Sequence, residues 1–181
     1  MKIPITYLIM AVVVVVALIF THGKLEKIDN EAKLRSKAEQ EKSLQAFREN
    51  TKKLNNADEC LKRGIKFLKN NESQKAVALL ERTVDLNNTF RDPNFYLGYA
   101  YLKDLDMHNK DMSEDEKKSE LTKAKKALLA AQRIDPLYPT TNKLLGIVAQ
   151  SEHNDNEKRL WYARYDTVTG NVISVKLTGS K

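Results

Sequence analysis

The chain falls into four stretches with different hydrophobic patterns. Ile3–Phe20 is continuously apolar apart from Pro4 and Thr6. Eighteen residues at about 1.5 Å each make roughly 27 Å, close to a bilayer core. This predicts an apolar membrane helix over residues 1–23, with Pro4 in the first turn, where its missing N–H does no harm. Thr21-His22-Gly23 also offers small residues at tolerable cleavage positions, so a product cleaved after Gly23 would be secreted. Residues 24–54 are polar and rich in helix formers, with thin apolar stripes at Leu25, Ile28 and Ala32 and at Leu44, Phe47 and Leu54. They predict a polar helical stalk, favoured over a coiled coil because the seam is sparse.

From residue 55 the apolar positions recur at helical spacing. Asn55-Asn56 are good starters for a helix over about 57–69; Asn70-Asn71 make a turn, and a second helix covers about 73–87. A second pair starts near Pro93. Ser113-Glu114-Asp115-Glu116 has the form of a capping box and starts a long helix over about 114–134. After Asn156 the pattern changes again. Trp161, Ala163 and Tyr165 alternate with Tyr162, Arg164 and Asp166; Ile173, Val175 and Leu177 alternate with Ser174 and Lys176; Thr169-Gly170-Asn171 lies between as a turn signal. This predicts a C-terminal β-hairpin within residues 156–181. The competing reading makes 156–166 the second helix of a third pair.

Gly64 and Gly98 occupy the same point of successive helix pairs and lie 34 residues apart. Gly64, Phe67, Ala76, Leu80 and Asn88 are followed by Leu97-Gly98, Tyr101, Ala124, Leu128, Ala131 and Pro136, and Leu145-Gly146 opens a third copy. In these residues 57–153 resembles the tetratricopeptide repeat family, with two repeats and a half. The resemblance implies an all-α stack of helical hairpins over 55–155. Small residues at Gly64, Gly98, Gly146, Ala76 and Ala124 would let helices approach, and Phe67 and Tyr101 would wedge between them. The Gly-to-Ala interval is longer in the second copy, which places an insertion of roughly fourteen residues within about 103–120; the part not taken up by the long helix from about 114 is expected as a longer hairpin loop.

The resemblance also implies a binding groove lined by the first helix of each pair. Its positions here are Asp58, Leu61, Ile65, Leu68, Asp92, Phe95, Tyr99, Leu102, Lys143 and Ile147. The family's carboxylate-gripping set of Lys, Asn and Arg is replaced by Leu61, Ile65, Tyr96, Thr140 and Leu144, so a chaperone's C-terminal tail is not the expected ligand. The groove is largely apolar and suits an amphipathic helix or an extended peptide. Filling in cis, by the stalk or the tail, and filling by a partner in trans both remain open at this point.

Composition adds exclusions. The net charge of +7 comes from 31 basic and 24 acidic side chains interspersed along the chain, which reads as a solubilising surface, and no nucleic-acid partner is expected. Cys60 is the lone cysteine, ruling out an internal disulfide and placing a small hydrophobe inside the first pair. Asp104 to Asp111 resembles the start of a calcium loop, but Asn109 stands where Gly is required and Asp115 where the bidentate Glu belongs. His22, His108 and His153 show no ligand spacing, and no phosphate loop or nucleophile motif occurs, so no metal, cofactor or catalytic residue is expected. The expected function is a non-enzymatic scaffold anchored in a membrane through residues 3–20, with its C-terminal body exported, binding a protein or another copy of itself. The alternative is a self-assembling filament subunit, since an apolar helix leading into a polar one resembles the plan of type IV pilins, although the acidic residue expected early in the mature pilin helix is missing.

Overall fold

The computed structural model describes residues 5–170, and side chains from Glu26 onward except that of Ile28. Contacts divide the chain into two compact units, Met1–Ala46 and Phe47–Lys181.

The first unit is helical throughout its described residues, as part of α1 (Ile5–Lys52). One expectation is corrected here. Among the described residues no helix is long and apolar enough to cross a membrane, so the single-pass membrane placement, with its exported body, is not upheld. From Glu26 on, α1 carries charges at short intervals, and residues 29–43 are exposed to the last one. Such a stretch cannot serve as or extend a membrane span, because each buried charge would cost several kcal/mol, and the side chains of residues 3–20 lie outside the described ones.

The second unit contains the last turns of α1 and six further helices: α2 (Ala57–Lys69), α3 (Ser73–Leu86), α4 (Arg91–His108), α5 (Glu114–Ile134), α6 (Pro139–Ser151) and α7 (Asp155–Thr169). They form three hairpins, α2–α3, α4–α5 and α6–α7, with α3 packed on α4 and α5 on α6. Local chemistry sets the ends. Asn56 Oδ1 accepts from Glu59 N–H at 3.0 Å and Asn154 Oδ1 from Glu157 N–H at 3.2 Å. At α5 the capping box closes: Ser113 Oγ accepts from Glu116 N–H at 3.3 Å, while Glu116 Oε2 accepts from Ser113 N–H at 2.7 Å. Pro139 opens α6 at the position where its absent N–H is harmless.

The glycines fix the crossings. A Cβ on Gly64 would lie 2.8 Å from Leu80 Cγ; on Gly98, 2.6 Å from Leu128 Cγ; on Gly146, 3.0 Å from the Tyr162 ring. Each hairpin therefore closes the same way, with its first helix laid against one large side chain of its second. Two buried clusters result. One gathers Leu68, Ala76, Val77, Leu80, Leu97 and Tyr101, and the other Phe95, Leu121, Leu128, Leu145, Val148 and Trp161.

Tyr162 decides a second correction. Residues 155–169 are helix, not the first strand of a hairpin; the second expected strand, Asn171–Leu177, lies outside the described residues. Among the described residues there is no strand. Gly170, read as a hairpin turn, is the left-handed C-cap of α7 at φ 73°. The reason is tertiary. Without α7, Leu145, Val148 and Ala149 of α6 would have no second helix to close their cluster, which Trp161 completes at 7% exposure.

The insertion is also absorbed as helix. α4 has 18 residues and α5 has 21, against 13 and 14 in the first hairpin, and only 109–113 remain as a loop. The expected long loop is replaced because Leu102, Leu105 and Leu121 keep the helical stripe running into the inserted residues.

Candidate interaction surface

The positions named for the groove do not share one environment. Leu68 and Phe95 are buried, at 4% and 7% exposure. Phe95 makes edge-to-face contacts with Tyr96 and Tyr138, both at 5.2 Å between ring centroids. Leu61, Ile65 and Leu102 are half-buried; Tyr99, Lys143 and Ile147 are exposed. Of the repeat-packing positions, Ala76, Ala124 and Leu128 are fully buried, and Phe67 meets Phe47 edge-to-face at 5.5 Å. Pro136 is exposed and follows the end of α5. The Tyr101 hydroxyl donates to Glu81 at 2.5 Å, and burial, then this carboxylate, push its pKa above the usual phenol range.

Two clefts open along the first helices of the hairpins, α2, α4 and α6. The smaller, about 450 Å³, lies at the start of α2 and α4 and is lined by Ala57, Asp58, Leu61, Phe90, Asp92 and Pro93 together with Thr83, Asn87 and Arg91. The larger, about 720 Å³, lies among α4, α5 and α6. Its apolar lining is Leu102, Leu105, Leu121 and Ile147; its polar lining is Asp106, Asn109, Glu114, Lys117, Lys118, Thr122, Ser151 and Glu152. This second cleft exists because of the insertion, since Leu105 to Lys118 belong to the lengthened ends of α4 and α5.

Polar clamps hold these walls in place. Asn94 Nδ2 donates to the carbonyls of Asn88 (3.2 Å) and Phe90 (3.0 Å), and Asn142 Nδ2 to that of Pro136 (3.2 Å). Each asparagine thus ties the loop before its own helix. Arg91 bonds Asp92 and Asp135 and stacks over the Tyr138 ring at 3.8 Å. Ser73 Oγ donates to buried Asp104 at 2.7 Å, and His108 Nδ1 lies 3.0 Å from the same carboxylate. So Asp104, placed in the acidic stretch by sequence, is a structural acceptor between α3 and α4. Lys125 reaches Glu152 and Glu157, both at 2.7 Å; burial works to lower its pKa, but the two carboxylates outweigh it and raise it. Sequence reasoning missed Ser73, Arg91, Asn94, Lys125 and Asn142. One signal was available: Asn94 and Asn142 keep the same separation as Gly98 and Gly146.

Among the described residues no group of His, Cys, Asp or Glu is placed to hold a metal ion.

No protein-family model matches the chain, and no curated protein matches it. Solved structures do. A structure of MamA is 21% identical with a TM-score of 0.56, covering 77% of this chain and 74% of that one. A point mutant of MamA is 13% identical with a TM-score of 0.54, covering 71% of this chain and 84% of that one. The chain folds as a tetratricopeptide-like stack. At such identities the likeness shows the fold alone. The resemblance to pilins finds no support in these comparisons.

The end of the stack is informative. Val77 and Val84 of α3 pack toward α4, but the matching positions of α7, found by superposing Gly64 on Gly146, are Arg159 and Asp166. Arg159 and Asp166 thus put charge at positions where α3 carries valine.

Proposed function

We propose that the protein is a non-enzymatic scaffold that holds a partner polypeptide along the face built by α2, α4 and α6. The observation that carries this reading is the pair of clefts, which open on these helices and expose apolar side chains that the stack leaves unfilled. Tyr99 and Ile147, each at 38% exposure, lie on those helices, and Leu61 and Leu102 line the clefts. Rigid helices present such side chains at low entropic cost to a ligand. The core positions Leu68 and Phe95 support the face from beneath, so substituting them would report on folding, not binding.

Placing a photo-crosslinking residue at Tyr99, at Ile147 and, as a control, at Leu160 on α7 tests this in the source cells. The expected result is a shared polypeptide adduct at the first two positions and none at Leu160. Equal adducts at all three positions, or none at any, would end the proposal.

A further inference from the structure

The lengthened second hairpin changes the charge of the stack where it matters. Residues 104–120 hold seven Asp and Glu against three Lys, a net of −4 in a chain whose net is +7. This segment supplies much of the lining of the larger cleft. Within it Lys117 is paired with Glu114 at 2.7 Å, and Lys118 makes no ion pair among the described residues. Asp106, Asp111 and Asp115 make no ion pair among the described residues and stand exposed. The floor is apolar, and Ile147 and, nearby on α4, Met107 stay 38% and 44% exposed. The lining itself carries Asp106, Glu114 and Glu152 against Lys117 and Lys118, and Asp111 and Asp115 belong to the turn next to it in sequence. An apolar floor in this net negative setting prefers an occupant of opposite charge with an apolar edge.

We infer that the cleft among α4, α5 and α6 is the seat of a basic amphipathic segment of a partner protein, its Leu or Ile side chains on Leu102, Leu105, Leu121 and Ile147 and its Lys or Arg side chains toward Asp106 and the acidic turn at 109–115. This rests on the scaffold reading and adds the chemistry of its ligand. The cleft volume, about 720 Å³, accommodates several side chains of one helix face. The insertion is then the specificity element: a hairpin of the first one's length would leave neither the acids nor Leu105 beside α6.

Fluorescence anisotropy on the full chain tests it. The probe is a labelled peptide of about four helical turns with Leu on one face and Lys on the other, compared with a counterpart carrying Glu for Lys. The Lys peptide is expected to bind at least about tenfold more tightly than the Glu peptide, a preference that shrinks with added salt. Ile147→Glu and Asp106→Lys, both at exposed positions, are each expected to weaken it at least about fivefold, while Leu160→Glu on α7 leaves it unchanged. Equal binding of the two peptides, or indifference to both cleft substitutions, overturns the inference. So does concentration-dependent self-association in sedimentation that the same two substitutions abolish, since the occupant would then be a second copy. If crosslinks form at Tyr99 and Ile147 while the peptides are not distinguished, the ligand chemistry fails and the scaffold stands.

Discussion

Replacing Gly98 by Ala tests the repeat architecture at its tightest point. The added Cβ would lie 2.6 Å from Leu128 Cγ, 2.8 Å from its Cδ2 and 3.2 Å from the Ala124 carbonyl oxygen. Leu128 is fully buried, so it cannot swing into solvent, and the backbone oxygen belongs to the interior of α5. Overpacking of this kind costs about 1–3 kcal/mol, while Ala in place of Gly in a helix interior returns about 1 kcal/mol. The difference is about 0–2 kcal/mol, and a 2.6 Å contact on a fully buried side chain puts it in the upper half, a loss of about 1–2 kcal/mol. With a urea m-value of about 1.5–2 kcal/mol/M, the midpoint falls by roughly 0.5–1 M. Gly64→Ala meets only side-chain atoms, at 2.8 and 3.0 Å from Leu80, and should lose less; Gly146→Ala meets the half-buried Tyr162 ring at 3.0–3.2 Å, which can tilt, and should be near neutral. Circular dichroism at 222 nm in urea ranks the three. A double substitution separates clash from other causes. Leu128→Ala alone should cost about 2–5 kcal/mol, but on that background Gly98→Ala should stabilise, because the space it needs has been vacated. A higher midpoint for Gly98→Ala alone, or an equal effect on both backgrounds, would falsify the crossing geometry.

Further expectations concern single elements. Trp161→Ala should cost about 3–5 kcal/mol and loosen α7, seen as earlier tryptic cleavage at Lys158, Arg159 and Arg164; unchanged cleavage would mean α7 is not held by this side chain. Ser113→Ala should lower stability by about 1 kcal/mol through loss of the α5 cap, and Ser113→Thr should restore most of it, both read from the urea midpoint. Tyr101 has its pKa raised by burial and by Glu81, so its phenol stays neutral in the folded protein while in the unfolded chain it ionises near pH 10. Its contribution is therefore complete below that pH and is lost as pH rises above it; the Tyr101→Phe variant should show a shallower stability decline from pH 10 to 11.5.

The repeat was legible because its marks are local and spaced by geometry. Glycines must sit where helices cross, and the Ser113 and Asn56 caps announce helix starts whatever surrounds them. What the spacing could not say is which half-buried side chains face solvent. Phe95 and Tyr99 are one helical turn apart, yet one is core and the other open, because Tyr138 of the next hairpin covers only the first.

The C-terminal segment shows the same division most sharply. Its β-branched and aromatic residues fit a strand of period two and a helix of period 3.6 almost equally well, since Trp161, Tyr162 and Tyr165 serve either pattern. Local preference could not choose, and the packing of Trp161 and Tyr162 against α6 did. By itself the sequence determined the first two helical hairpins and the caps at Asn56 and Ser113, all properties of neighbouring residues along one chain. The tertiary structure alone decided that α4 would run on to His108 and that a cleft would open beside α5, because that outcome depends on apolar surface supplied by α6 from far along the chain.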